Sequence, residues 1–389
     1  MNFSFATAQT IRFGPGAAKE LASLIDKEVR TIFVVTGSNP DRHRGPLELL
    51  ERNGATLHTF SQCGEPDIAS ISEGVAAARS LEPDLVIGIG GGSAIDAGKA
   101  IAALVPNPGE LLDYLEVVGR GQALERSSLP YMAVPTTAGT GSEATRNSVI
   151  GVPEAGVKVS LRSASMLPRW AVVDPELTYE LPLQIAAYTG IDALTQNLEA
   201  FLSAKANPLS DAIAREGLIL SGRSLRKACD QTVDHDAKAD ICIASLCGGI
   251  ALANGGLGAV HGFAGPIGGM IDAPHGALCG SLLLSVCRAN FETIKRREPN
   301  GPSSAKFDEA ARLLTGNPEA KGTYAMAWLE SLVTELPLPT LTELGFSPDQ
   351  IPEAAEKALR ASSMHGNPIE LSKADLREIL DEALGSKWS

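Results

Sequence analysis

Residues 84–104 read DLVIGIGGGSAIDAGKAIAAL, and this stretch decides the fold class. Its apolar start, residues 85–89, predicts a buried strand, and the alanine-rich part after Ser93 predicts a helix with Asp96 in its first turn. A glycine cluster between a strand and a helix lets a phosphate reach the backbone, where free helix N–H groups face the anion. The stretch therefore predicts phosphate binding on an α/β domain, with a tight turn as the alternative. The residues that would surround the phosphate are Gly90, Gly91, Gly92, Ser93 and Asp96.

Strand and helix patterns alternate on both sides of this stretch. Apolar β-branched runs predict strands at 31–35, 55–60, 131–135 and 170–173, and helical periodicity lies at 17–27, 45–53 and 67–80. From about residue 180 only helical patterns follow, at 183–204, 209–227, 236–253, 276–294, 306–314, 323–334, 348–361 and 372–385. We predict an α/β domain over residues 1–178 and an all-helical domain over residues 179–389, with the active site in the cleft between them.

Composition excludes several classes of partner. The chain has 389 residues, 44% of them hydrophobic, and a net charge of −13, which opposes binding to nucleic acid or to an anionic membrane. The first ten residues, MNFSFATAQT, do not form a signal pattern, and no apolar run reaches the length of a membrane span. The six cysteines lie mostly in apolar helical patterns and have no CxxC spacing, which is typical of small buried hydrophobic residues and fits a reducing cytoplasm.

A second glycine-broken loop follows the strand pattern at 131–135. It reads TTAGTGSE over residues 136–143, and its hydroxyl groups could bind a phosphate, a ribose or a carboxamide. The alternative is a solvated turn. Composition does not choose between the two.

Two histidines lie in a glycine-rich stretch, residues 254–276, which reads NGGLGAVHGFAGPIGGMIDAPHG. His261 and His275 are fourteen residues apart, and Pro266 with its neighbouring glycines is expected to break any helix between them, so two segments must converge if both rings bind one ligand. Asp192 lies upstream in an amphipathic helical pattern. An aspartate and two neutral imidazoles can bind Zn²⁺ or Fe²⁺ with a position left for substrate. The alternative is that both are ordinary polar residues at helix ends.

Six motifs in order resemble the iron-containing (group III) alcohol dehydrogenase family. The resemblance implies an N-terminal dinucleotide-binding α/β domain and an all-helical, metal-binding C-terminal domain, a fold similar to that of dehydroquinate synthase. It also implies hydride transfer between an alcohol, or a hydroxy acid, and NAD or NADP (EC 1.1.1.-). The motifs are GGGSAIDAGKA at 90–100, PTTAGTGSEAT at 135–145, DPELT at 174–178, GIDALTQNLEAF at 190–201, GAVHG at 258–262 and APHGA at 273–277.

The resemblance implies three sets of site residues. The dinucleotide would contact the five residues named for the phosphate and also Gly37, Ser38, Asn39, Thr136, Thr137, Thr140, Ser142 and Lys158. The substrate pocket would contain Arg146, Asn147 and Leu252. A divalent metal, Fe²⁺ or Zn²⁺, would polarise the substrate oxygen while bound by Asp192, Gln196, His261 and His275. The catalytic residues would be Asp192, His261, His275 and His365.

Three departures from the family pattern bear on function. Gln196 stands where the family has a histidine ligand, and a neutral amide binds a transition metal less well than an imidazole. Gly265 replaces a histidine linked to proton relay, a role that His365 could take unless it is a surface residue. No carboxylate follows the first strand before Asp41, so the choice between NAD and NADP stays open.

The departures leave alternatives to a metal-dependent dehydrogenase. One is a metal-independent reductase of an oxo acid, similar to maleylacetate reductase; another is a dinucleotide-binding relative without catalysis. Glycerol dehydrogenase is a related enzyme in which one carboxylate and two histidines hold zinc, so the loss of the fourth ligand does not disqualify the trio here. The family resemblance also predicts a homodimer, in which a strand at Phe3–Phe5 could pair across the interface or cap its own sheet.

Overall fold

The computed structural model describes residues 2–230 and 232–385. The chain divides into two compact units. The first unit contains Thr7–Thr137 and Gly141–Glu180, and the second joins the segment before Thr7 and the short piece Ala138–Thr140 to the chain from Leu181 onward. The prediction placed a single boundary at residue 178. In the structure the main boundary follows Glu180, and two short earlier pieces also group with the helices. Gly139 packs on Thr189, so closely that a Cβ added at Gly139 would lie 2.8 Å from the Thr189 Cβ.

The first unit is an α/β structure. Its helices are α1 (Leu21–Leu24), α2 (Arg44–Arg52), α3 (Ile68–Leu81), α4 (Gly92–Leu104) and α5 (Leu111–Tyr114). Its strands are β1 (Thr10–Phe13), β2 (Thr31–Thr36), β3 (Thr56–Ser61), β4 (Leu85–Gly90), β5 (Tyr131–Pro135), β6 (Asn147–Val152), β7 (Val157–Arg162) and β8 (Trp170–Val173). Six strands form a parallel sheet in the order β1-β8-β5-β4-β2-β3, and β6 and β7 form an antiparallel hairpin. The prediction omitted β1 and this hairpin.

The central strands are apolar because side chains cover both faces of the sheet. Every residue of β4 and β5 is buried, and two hydrophobic clusters occupy the opposite faces. Gly88 and Gly98 leave space between β4 and α4 for the ring of Tyr131. The Tyr131 hydroxyl donates a 2.7 Å hydrogen bond to the carbonyl oxygen of Ile95, so the buried phenol is satisfied and α4 is fixed on the sheet.

The second unit consists of nine α-helices within the described residues. They are α6 (Leu183–Leu202), α7 (Pro208–Ala228), α8 (His235–Gly255), α9 (Ala259–Met270), α10 (His275–Arg297), α11 (Pro302–Thr315), α12 (Gly322–Glu335), α13 (Ile351–Arg360) and α14 (Lys373–Gly385). These bounds confirm the eight helical patterns predicted after residue 180. The long helices α6, α7 and α8 pack on one another, and α10 packs on both α6 and α9. The fold class is therefore the one predicted.

Two local expectations were wrong. Pro266 does not break the helix, since α9 continues from Ala259 to Met270 around it. Burial explains this, because Val260, Phe263, Ala264 and Ile267 are at most 1% exposed and their packing outweighs the lost backbone hydrogen bond. The segment Phe3–Phe5 is not a strand. It leads into Ala6, whose N–H and carbonyl groups both bond to the side chain of Asn254.

Membrane-spanning segments were sought among the described residues. No single helix there is both long and apolar enough to cross a bilayer. Only α8 and α9 taken together pass a test of length and composition, and the two are bent by 98° at their junction.

Candidate active site

The carboxyl ends of β2, β4 and β5 meet at the glycine-rich turn. Thr36, the last residue of β2, pairs with Ile89 of β4, and the Thr136 N–H donates a 2.8 Å bond to the carbonyl oxygen of Gly90. Gly90 has φ +155°, and a Cβ there would lie 2.7 Å from the Cβ of Ala94. Chain connections leave β2 and β4 toward opposite edges of the sheet. Open α/β sheets bind ligands at the strand ends beside such a switch point.

The start of α4 is built to accept an anion. Gly91 is the N-cap and has no side chain that could cap the helix, and Gly91, Gly92 and Ser93 are all partly exposed. Among the described residues, the first N–H groups of this 13-residue helix have no hydrogen-bond partner, and the helix dipole adds positive potential there. Thr137 lies beside Gly91, where a Cβ would be 3.5 Å from its methyl group. Gly37, Ser38 and Asn39 follow β2 at the same edge.

A buried polar network supports this edge, and sequence reasoning missed its centre, Lys99. The Lys99 ammonium is fully buried and donates to the carbonyl oxygens of Ser142 and Asn147 at 2.7 Å and to the hydroxyls of Ser142 and Thr145 at 2.9 Å. Asp96 lies 3.5 Å from the ammonium and accepts hydrogen bonds from the Ser142 hydroxyl and the Val149 N–H. The predicted cofactor residues Asp96 and Ser142 are thus bonded to protein groups. Their cofactor contacts stay predictions.

The other predicted cofactor and substrate residues are scattered over both units. Lys158 on β7 forms an ion pair with Glu65, and Thr140 groups with the helical unit, whereas Thr136 and Thr137 group with the sheet. Asn147 begins β6, directly after Arg146, and Leu252 is half-buried on α8. Arg44 near the β2 loop pairs with Glu48 at 2.9 Å. Contacts of these residues with a cofactor or substrate stay predictions, as does the choice between NAD and NADP.

Four side chains of the second unit converge on one point. Asp192 comes from α6, His261 from α9, and His275 and Cys279 from the first turns of α10. One ligand atom of each lies within 4.8 Å of the others. The Asp192 Oδ1 is 3.3 Å from the Nε2 of His261 and 3.9 Å from the Nε2 of His275. The structure therefore brings together three of the four predicted metal ligands, which lie on α6, on α9 and at the start of α10.

The chemistry of this cluster fits a divalent cation. Asp192 is 2% exposed, and its Oδ1 has no hydrogen-bond partner among the described residues, although buried carboxylate oxygens are ordinarily bonded. Ligand atoms of a tetrahedral zinc shell lie about 3.3 Å apart for two N or O donors, given zinc–donor lengths of about 2.0–2.1 Å. The 3.3 Å separation of Asp192 and His261 matches that spacing. The residues present can thus hold the ion.

A buried carboxylate outside the cluster orients His261. Glu199, on α6, lies 2.7 Å from the Nδ1 of His261, and its other oxygen accepts a 2.6 Å bond from the Val260 N–H. Because Nδ1 faces a carboxylate, it carries the proton, and Nε2 is left to bind a cation. Sequence reasoning missed Glu199, although it lies two helical turns after Asp192 and so shares its face of α6.

Electrostatics at the cluster favour positive charge. Burial lowers the pKa of His261, but Cys279, Asp192 and Glu199 together raise it well above its ordinary value. Cys279 is the largest cause that raises the pKa of His275, to about 9. Burial raises the pKa of Asp192, yet the two histidines bring it below its ordinary value. The groups around both imidazoles therefore stabilise positive charge at this cluster.

Two further predicted residues, the metal ligand Gln196 and the catalytic His365, are not among these four side chains. Gln196 is one turn after Asp192, but its buried Oε1 lies against α8, 2.9 Å from where a Cβ on Gly248 would stand. Gly265 faces open space, with no atom within 4 Å of an added Cβ. His365 lies on a short helix, Ser362–Gly366, where it forms no hydrogen bond or ion pair with any described residue. The roles of Gln196 and His365 stay predictions. Cys279 was missed, although its spacing of four residues from His275 is a readable signal.

Known proteins share this architecture over their full length. Two family models match the chain: iron-containing alcohol dehydrogenase over residues 8–175, and the C-terminal region of the Fe-containing alcohol dehydrogenase family over residues 186–384. Alcohol dehydrogenase 4 of Saccharomyces cerevisiae (strain YJM789) is 33% identical over 377 residues, which are 95% of this chain and 96% of that protein.

Solved structures agree. The crystal structure of a 1,3-propanediol oxidoreductase has a TM-score of 0.90 at 30% identity and covers 98% of this chain and 100% of that one. Sulfoacetaldehyde reductase from Bifidobacterium kashiwanohense in complex with NAD⁺ has a TM-score of 0.88 at 27% identity and covers 100% of both chains. The family resemblance of the six motifs is confirmed. This chain belongs to the iron-containing alcohol dehydrogenase family and is an NAD(P)-dependent alcohol oxidoreductase with a small-molecule alcohol substrate.

Proposed function

We propose that Asp192, His261 and His275 hold the divalent ion that activates the alcohol, and that NAD(P) lies along the carboxyl ends of β2, β4 and β5. The convergence of the three ligand atoms from α6, α9 and α10, around a buried Asp192 oxygen with no hydrogen-bond partner among the described residues, carries this proposal. When bound, the ion supplies Lewis acidity toward the alcohol oxygen and the nicotinamide accepts the hydride.

The chain's own residues prepare these two sites. Asp192 contributes a negative charge in a buried position, and Glu199 fixes the ring of His261 with Nε2 toward it. His275 is the accessible member, with 34% of its side chain exposed, so the alcohol approaches from its side. The free N–H groups at the start of α4 receive the pyrophosphate, and Lys99 holds the loop after β5 in place through Ser142.

The test compares Asp192→Asn with Asp236→Asn, an exposed carboxylate at the start of α8 that serves as control. Each protein is purified anaerobically and assayed for bound iron and zinc, and for NAD⁺ and NADP⁺ reduction by primary alcohols, diols and hydroxy acids. We expect D192N to lose metal and turnover while D236N keeps both. Unchanged metal content and turnover in D192N would exclude the assigned metal site.

The same assay separates the alternatives. Tight dinucleotide binding and oxo-acid reduction without any metal would replace the proposal with a metal-independent reductase. Dinucleotide binding with no turnover of any alcohol or carbonyl compound, after loading with either metal, would identify a relative without catalysis.

We further propose a homodimer in the cytoplasm. The dimer is supported by β1, an edge strand of the sheet whose residues Thr10, Ile11 and Arg12 are exposed, because an open edge can pair with another chain. Light scattering of the purified protein tests it, and a monomer at micromolar concentration would exclude it. The cytoplasm is supported by the six cysteines, all of which carry free thiols.

A further inference from the structure

Cys279 is the fourth member of the converging cluster. It lies one turn after His275 on α10, is fully buried, and its Sγ is 3.6 Å from the Nε2 of His275 and 3.9 Å from the Nε2 of His261. Residues four apart on a helix share a face, so both α10 side chains are directed at the same point as Asp192. The sulfur therefore faces the metal ligands rather than a purely apolar environment.

The separations suit a sulfur donor. In a tetrahedral shell with zinc–sulfur bonds of about 2.3 Å and zinc–nitrogen bonds of about 2.0–2.1 Å, sulfur and nitrogen lie about 3.6 Å apart. The distance between Cys279 and His275 has this value. The distance between Cys279 and His261 is 3.9 Å, so a shift of a few tenths of an ångström closes the shell.

Gln196 is placed differently. It shares a face of α6 with Asp192, but its Oε1 packs against Gly248 of α8, a residue outside the cluster. A neutral amide oxygen is also a weaker donor than a thiolate for Zn²⁺. Between the two candidates for a fourth donor, the sulfur has both the position and the chemistry.

We propose that Cys279 binds the divalent ion as a thiolate and, with Asp192, His261 and His275, makes a site that prefers Zn²⁺ to Fe²⁺. This inference rests on the proposed function, which places the ion at the other three residues. On binding, the sulfur–hydrogen bond breaks, the proton leaves to solvent, and a sulfur–metal bond forms without any change in oxidation state. The thiolate and the Asp192 carboxylate together neutralise the ion's charge, which lowers the cost of burying it.

The preference for zinc follows from ligand softness. Thiolate ligands favour zinc, whereas a shell of imidazole and carboxylate accepts iron as well. With four protein donors, the substrate oxygen would have to enter as a fifth ligand, and some catalytic zinc sites do become five-coordinate. The half-exposed His275 marks the side of the cluster that is open to solvent.

Cobalt reports directly on the sulfur, because a thiolate bound to Co²⁺ gives a charge-transfer absorption in the near ultraviolet that nitrogen and oxygen ligands do not. The full-length protein is loaded anaerobically with Co²⁺ and titrated with Zn²⁺ and Fe²⁺. The variants are Cys279→Ser, Gln196→Leu and, as the matched control, Cys287→Ser, which changes another buried cysteine of α10.

We expect the charge-transfer band in the wild type, Q196L and C287S, and no band in C279S. Loss of a residue that only supports a metal ligand weakens metal binding about 10–100-fold, and loss of a ligand itself should cost no less. We therefore expect C279S to bind Zn²⁺ about 100-fold more weakly and to show a smaller preference for zinc over iron. A cobalt-loaded wild type without the band, or a band that persists in C279S, would overturn the inference. If C279S does not fold, Cys279→Ala takes its place in the comparison, and a wild type without the band overturns the inference in either case.

Turnover measured on the same samples separates this inference from the proposed function. Alcohol oxidation by a loaded wild type that has no charge-transfer band would overturn the role of Cys279 and leave the proposed function intact. A band without turnover of any alcohol would support the role of Cys279 and count against the proposed function.

Discussion

Glu199 lies 2.7 Å from the Nδ1 of His261 and joins two helices through a single buried carboxylate. Its second oxygen accepts the Val260 N–H at 2.6 Å, so the same side chain caps the start of α9 and orients an imidazole. Carboxylates placed behind a metal-binding histidine fix the ring and raise its basicity. If His261 binds the ion as proposed, Glu199 is its positioning residue.

Replacing Glu199 with glutamine should weaken metal binding. The amide keeps the shape and one oxygen acceptor but loses the negative charge that faces Nδ1, so we expect the dissociation constant for Zn²⁺ to rise about 10–100-fold. Competition with a coloured chelator measures it. Glu309→Gln, which alters a carboxylate paired with Arg215, is the control and should leave the affinity unchanged. Equal affinities in wild type and E199Q would refute the positioning role.

Gly91→Ala should weaken dinucleotide binding without disturbing the fold. The added Cβ would lie 3.5 Å from the Thr137 methyl, an ordinary contact, and φ at Gly91 is −72°. The methyl group stands at the N-cap of α4, where the pyrophosphate needs close approach to the backbone. We expect affinity for NADH or NADPH to fall about tenfold, a change of about 1.4 kcal/mol. Fluorescence titration measures this, with Gly45→Ala on α2 as the control.

Glu143 should make stability depend on pH. Burial raises its pKa from the ordinary value of 4.5 to about 7. Between pH 4.5 and about 7, Glu143 holds a proton in the folded chain that it has lost in the unfolded chain. The stabilisation that this proton gives the folded state is fully present below pH 4.5 and is lost as the pH rises through about 7. Relative to Glu143→Gln, the wild type should lose up to about 3 kcal/mol of unfolding free energy over that window.

Urea unfolding of both proteins at a series of pH values measures the difference. Glu154→Gln, at an exposed position of the β6–β7 turn, is the control and should follow the wild type. Parallel pH profiles of the wild type and E143Q would show that the pKa of Glu143 is the same in the folded and unfolded chains, and would refute the prediction.

Lys99→Met should destabilise the first unit. The substitution keeps the volume of the side chain but leaves the carbonyl oxygens of Ser142 and Asn147 without their donor, next to the unpaired charge of Asp96. Breaking a buried charged network of this kind costs about 3–5 kcal/mol. We expect a lower midpoint in urea and weaker dinucleotide binding, because the loop after β5 loses its anchor. Lys19→Met, which removes an exposed pair with Glu176, should change little.

Local patterns were sufficient for most of the architecture. Strands such as β2 and β4 are buried on both faces and so read as continuous apolar runs, and long helices such as α7 and α10 carry clear periodicity and proline or glycine ends. The edge strand β1 and the hairpin β6–β7 escaped detection because polar and exposed residues interrupt their apolar pattern. α9 escaped because packing, rather than propensity, keeps it helical around Pro266.

The sequence by itself determined the family and most of the order of strands and helices, and it predicted Asp192, His261 and His275 as metal ligands, since each stands in a short motif whose chemistry is local. Tertiary structure decided which other side chains join them. Cys279 and Glu199 belong to α10 and α6, and only helix packing brings their sulfur and carboxylate to His261, 18 and 62 residues away. Spacing along a chain cannot encode such convergence, because it depends on how three separate helices cross.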